Sequence, residues 1–202
     1  SIEVINPATE ERIGSVPIGD ASDIDAAVAA AQRAFPEWSR TSVEDRADLL
    51  NRTSTAIKDQ GEELAQLITA EVGTPIEYSR MAMVGTPRVV TRSYAKILDG
   101  FSWEEEVRNS LVVKEPIGVV AMITPWNFPW AIPVWKIAPA IVAGNTVVFK
   151  PSELTPGTAA IMFEIFEEAG CPPGVINMVH GTGPVVGEAL VHHPAIQAVS
   201  FT

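Results

Sequence analysis

Apolar residues recur along this chain with two different periods, and the change from one to the other divides it. Near the start, residues 2–5 and 12–16 read as short extended runs on either side of the turn signal Asn6-Pro7. Residues 21–35 are alanine-rich and helical in pattern. Ser42 is of a type that caps helix N-termini, and Glu44 and Asp45 fall in the first turn after it, where carboxylates suit the positive pole of the helix. Val43, Ala47, Leu50 and Ile57 then recur at helical spacing, and Leu64, Leu67, Ile68 and Val72 continue the pattern in another helix. Residues 75–98 predict one more, with Pro75 in its first turn.

Beyond residue 110 short apolar runs replace the long amphipathic ones. Residues 111–114, 118–124, 146–149, 175–179 and 198–201 read as strands, and 118–124 has the few polar residues expected of a strand covered on both faces. Helices are predicted over 132–142, 159–169 and 185–191; Thr155-Pro156 reads as an N-cap followed by proline at the first helical position. This alternation predicts an α/β fold, a Rossmann-like parallel sheet flanked by helices. Ligands bind such sheets beyond the carboxyl ends of the strands. The turns to inspect are therefore 124–130, 150–155 and 180–187.

Composition narrows the partners. A net charge of −11 over 202 residues disfavours a nucleic-acid backbone or an anionic membrane surface. The apolar stretch 130–144 is short for a membrane span and is interrupted by Pro133, Lys136 and Pro139. The opening SIEVINPATEE has neither the basic start nor the apolar core of a signal peptide, and a lone cysteine forms no internal disulfide, so a cytoplasmic location is expected.

Each turn carries candidate chemistry. In Thr124-Pro125-Trp126-Asn127-Phe128-Pro129 two prolines stiffen the backbone around one amide. Asn127 either donates to a developing oxyanion or satisfies its own loop, and spacing alone favours the second. Trp126, Phe128 and Trp130 read as packing residues. Lys150 and Glu153, three residues apart just past a strand, form either a surface ion pair or a grip on the hydroxyls of a ribose. Gly181, Gly183 and Gly187 either let a ligand approach or serve a tight turn. Cys171 follows a helix end beside Glu167 and Glu168, a setting that leaves a thiol inert. His180, His192 and His193 lack partners at ligand spacing, so no metal is expected and these rings should face solvent.

In order and spacing, PWNFP, WK, GNTVVFKPSE, AGCPPGVINMVHGTGPVVG and SFT resemble the aldehyde dehydrogenase superfamily. INPATEE and EPIGVVAMITPWN extend the resemblance over nearly the whole chain. It implies that Asn127 is an oxyanion donor and that Lys136 lies near the active site, as a proton carrier or as a solvated lysine. It implies cofactor contacts at Ile123, Thr124, Pro125, Trp126, Lys150, Ser152, Glu153, Gly183, Pro184 and Phe201. Among these, Lys150 and Glu153 would meet the adenosine ribose, while Gly183, Pro184 and Phe201 would lie towards the adenine. The implied cofactor is NAD, with NADP as the alternative, because a carboxylate at position 153 would repel a 2′-phosphate.

The same resemblance divides the chain into a helical part of the cofactor domain (1–99), the start of an oligomerisation arm (100–115, with Trp103 a candidate interface residue) and a parallel βα part (116–202). The implied activity is oxidation of a small-molecule aldehyde by a homo-oligomer, a dimer or tetramer, through a cysteine nucleophile and a glutamate base. Both would lie beyond Thr202, so the catalytic domain is expected to be absent and the isolated chain inactive. An acylating member using coenzyme A or phosphate, or a non-catalytic nucleotide-binding or oligomerising module, are the competing readings.

Overall fold

The computed structural model describes all 202 residues. Its centre is a pair of strands with no exposed residue, β5 (Val119–Ile123) and β6 (Thr146–Lys150). Because side chains alternate across a strand, these two serve two apolar cores at once. Val120, Met122, Val147 and Phe149 face one core, shared with α2 (Val43–Asp59), α3 (Gly61–Val72), α6 (Ala131–Val142) and α7 (Pro156–Glu168). Val119, Ala121, Ile123 and Val148 face the other, shared with α1 (Ala21–Trp38) and α8 (Glu188–His192).

With β7 (Ile176–Met178) and β8 (Ile196–Phe201) the two strands form a parallel sheet in the order β7-β6-β5-β8. Register aligns the carboxyl ends: Ile123 lies opposite both Lys150 and Phe201, and Phe149 opposite Met178. The expected sheet, covered on both faces, is therefore present, and the turns after β5, β6 and β7 emerge along one edge. No helix is long and apolar enough to cross a membrane.

The two N-terminal runs pair as an antiparallel hairpin, β1 (Ile2–Ile5) with β2 (Arg12–Val16). Ser42 caps α2 through its side chain. The helix over 75–98 is less regular than expected. It begins as α4 (Ile76–Tyr78), passes through a π-turn over Ser79–Gly85 and continues as α5 (Thr86–Ile97), with Pro75 outside it as the preceding residue.

Two differences have physical causes. The strand expected at 111–114 is β4 (Ser110–Val113), paired with an unforeseen β3 (Glu104–Val107) whose residues, three of them glutamates, are all exposed and show no alternation. Trp103, at the root of this hairpin, packs against Phe101 and lies under the guanidinium of Arg46, 5.4 Å from ring to charge. Thr155 sits at the start of α7, but its side chain makes no capping bond. The cap comes instead from Glu71 on α3, described below.

Candidate functional site

The turn after β5 keeps its shape through local constraints. Thr124 is buried and its N–H donates to the Lys150 carbonyl, which ties this turn to the end of β6. Trp130 is fully buried and Phe128 packs at the margin of the larger core, as packing residues should. Trp126 differs from that expectation: it is exposed on the turn, and Pro125 beside it is half-buried. Asn127 is exposed, and its amide makes no hydrogen bond within the chain. It does not satisfy its own loop, and its donors are left facing outwards.

Lys136 projects from α6 towards β8, where its Nζ donates to the Ser200 Oγ at 2.8 Å. Partial burial lowers its pKa from the ordinary lysine value. The neighbouring Trp135 is exposed. Ser200 did not stand out in the sequence, since one serine in an apolar strand carries no pattern.

The turn after β6 is arranged around a buried ammonium. Lys150 is 3% exposed, and its Nζ donates to the carbonyls of Pro151 at 2.6 Å and Gly181 at 2.8 Å. Glu153 Oε2 lies 3.5 Å away, with its side chain 33% exposed. Burial pulls the lysine pKa down, and the Glu153 carboxylate opposes that shift. Lys150 is thus not a surface ion-pair partner. It fastens the second turn to the third and holds one side of a carboxylate whose other side faces out. Ser152 is buried, and its Oγ accepts from the Leu154 N–H at 3.2 Å, which closes the turn.

The third turn uses its glycines differently from one another. Gly181 has φ 153°, and a Cβ there would lie 2.3 Å from Val186 Cγ2, so the fold itself requires glycine. At Gly183 a Cβ would meet nothing within 4 Å, and no left-handed φ calls for glycine. Open space adjoins it, beside exposed Pro184. The helix after this turn starts as a π-turn over Gly183–Gly187 and brings Gly187 against the stems of Lys150 and Ile123. Phe201, at the end of β8, is 73% exposed, and the Thr202 N–H donates to the Ile123 carbonyl.

The three turns therefore converge: β5 to β6 through Thr124, β6 to β7 through Lys150 and Gly181, and β5 to β8 through Ile123. All ten residues expected to meet a cofactor lie on this edge or within the turns that leave it. Of the histidines, His192 is exposed, but His180 is half-buried and His193 is largely covered beside Asp25 at 3.4 Å, which corrects the expectation of solvent exposure for those two. Burial, then the charge of Lys150, lowers the His180 pKa. Burial, then Glu167, pushes the Cys171 thiol up to about 12, so it is inert at neutral pH.

A family model described as "Aldehyde dehydrogenase family" matches residues 1–202. The chain belongs to the aldehyde dehydrogenase family. It is 44% identical over 203 residues to a 3-succinoylsemialdehyde-pyridine dehydrogenase of a Pseudomonas species, covering 99% of this chain and 42% of that protein. Among solved structures it is similar to a mutant of aldehyde dehydrogenase C from Pseudomonas syringae, complexed with NAD+ and octanal. The TM-score is 0.98 at 44% identity, over 99% of this chain and 41% of the other. PnpE of Pseudomonas sp. WBC-3, in complex with nicotinamide adenine dinucleotide, gives a TM-score of 0.94 at 39% identity, over 99% and 42%. The chain thus spans about two fifths of the length of the relatives it matches.

Proposed function

We propose that the whole protein oxidises an aldehyde to a carboxylic acid with NAD as hydride acceptor, and that this chain supplies the adenosine side of the cofactor site and one oxyanion donor. The observation that carries this reading is the convergence of three strand-end turns around Lys150, with the Glu153 carboxylate and the Asn127 amide left facing out. Open space at Gly183, next to a half-free carboxylate, fits a nucleoside whose ribose lies against Glu153 and whose base lies towards Gly183, Pro184 and Phe201. Ile123, Thr124, Pro125 and Trp126 would wall the opposite side, and Ser152 would keep the second turn in shape. NAD, when bound, accepts the hydride. The likeness to two structures that hold this cofactor supports the reading.

Within the reaction, Asn127 would donate an amide hydrogen to the oxygen of the attacked carbonyl, an amide on a proline-restricted turn and free of internal bonds. Lys136, held on Ser200 with its ammonium less basic than usual, would hold or pass a proton near the same edge. The exposed hairpin, with Val107, Leu111, Val112 and Val113 uncovered, supports a homo-oligomer, and a free thiol suits a reducing compartment such as the cytoplasm.

The choice of NAD over NADP rests on Glu153, which would repel a 2′-phosphate. Calorimetric titration of the full-length protein should give NAD binding at least about tenfold tighter than NADP. Glu153→Gln should narrow the gap. Equal or tighter binding of NADP by the unaltered protein would overturn the assignment.

A further inference from the structure

Glu71 stands at the unfavourable end of its own helix. It is the next-to-last residue of α3, where a carboxylate meets the negative pole, yet it is only 6% exposed. Its partners belong to α7. Oε1 accepts from the Gly157 N–H at 2.7 Å, and Oε2 accepts from the N–H and the hydroxyl of Thr158 at 2.9 and 2.6 Å. Behind Pro156, which has no N–H, these are the first backbone donors of α7, the groups an N-cap ordinarily satisfies. Thr155, in the local capping position, does not do so.

Gly157 gives independent evidence for the contact. A Cβ at this position would lie 2.8 Å from Glu71 Oε1 and 3.2 Å from Leu67 Cδ2, and no left-handed φ requires glycine here. The missing side chain makes room for the carboxylate of another helix. Residues 151–155 are therefore strung between two fixed points. Lys150 and the sheet hold the upstream end, and Glu71 holds the downstream end.

We propose that Glu71 is a positioning residue of the cofactor site: by capping α7 from a different helix it sets the Ser152–Glu153 turn, and with it the direction in which Glu153 presents its carboxylate to an adenosine ribose. This rests on the reading of that turn as the ribose site. A purely structural clamp would weaken all ligands of the edge alike. A positioning role changes discrimination, because it moves the one group that senses the 2′ position.

The test compares AMP with its 2′-phosphorylated form as calorimetric probes on the full-length protein, in the unaltered form and in Glu71→Gln, Glu71→Asp and Glu153→Gln. The unaltered protein should prefer AMP. Glu71→Gln, with one oxygen of the double acceptor replaced by a donor, should weaken AMP about tenfold and bring the preference towards unity. Glu71→Asp, which keeps the charge but shortens the reach, should give a smaller change in the same direction and serves if the glutamine variant does not fold. If Glu153→Gln abolishes the preference while folded Glu71 variants keep it, or lose both ligands in equal proportion, the positioning role is wrong and the ribose reading stands. If Glu153→Gln leaves the preference untouched, the ribose reading fails and the inference falls with it.

Discussion

The turn after β5 is shaped largely by its own residues, whereas the turn after β6 is held by residues from distant parts of the chain. In the first, Pro125 and Pro129 restrict the backbone, Trp130 anchors the far end in the core, and Asn127 is left without any bond to make or break. In the second, a buried lysine reaches the carbonyl of Gly181, 31 residues on, and the following helix is capped by a carboxylate 86 residues upstream. Stiffness built into the backbone leaves a side chain free for chemistry. Stiffness built from hydrogen bonds occupies the side chains that supply it and leaves only Glu153 partly available. The two turns should therefore respond differently to loss of their key side chain: without its free amide the first should lose function but not stability, and without its lysine the second should lose both.

The largest expected effect tests the first half of that contrast. If the full-length protein oxidises aldehydes as proposed, Asn127→Ala should lower its kcat about 100- to 1,000-fold, the loss typical of one oxyanion donor, with an unchanged melting temperature. A drop in melting temperature of several degrees would show that the amide supports its loop after all. Next in size, Lys150→Met keeps the buried stem and removes the ammonium, which leaves the carbonyls of Pro151 and Gly181 unpaired. Denaturant titration should show a loss of roughly 1–3 kcal/mol, accompanied by weaker NAD binding. Weaker binding at full stability would mean that the tie between the turns is dispensable. The smallest effect belongs to Pro125→Ala, which loosens the unfolded chain more than the folded one. About 0.4–1 kcal/mol of stability should be lost, with kcat little changed. A kcat loss comparable to that of Asn127→Ala would place this proline in the orientation of the amide.

The same contrast explains what could be read from the amino-acid order. Features fixed by neighbours in sequence were visible: the Ser42 cap, the short apolar runs of β5 and β6 that are buried on both faces, and the proline-framed turn with its one amide. Features fixed across the fold were not. Thr155 has the residue type of a cap, but Glu71 takes the position because tertiary packing brings its carboxylate to the same donors. One signal was available: a carboxylate in the last turn of a helix opposes the dipole and calls for another partner. Strand β3 was hidden because Glu104, Glu105 and Glu106 have no apolar side to alternate with, and it forms by pairing with β4. The turn after β6 was located correctly along the chain, but Lys150 proved to be an internal fastener, a role that no spacing of residues reveals.

Cys171 sits in the link between α7 and β7, half-buried, and its thiol is held protonated far above neutral pH. Native protein should therefore react slowly at this sulfur with alkylating reagents, and opening of that link would speed the reaction. In a longer protein with a reactive cysteine elsewhere, fast labelling would count working molecules, and slow labelling at this position would time their collapse.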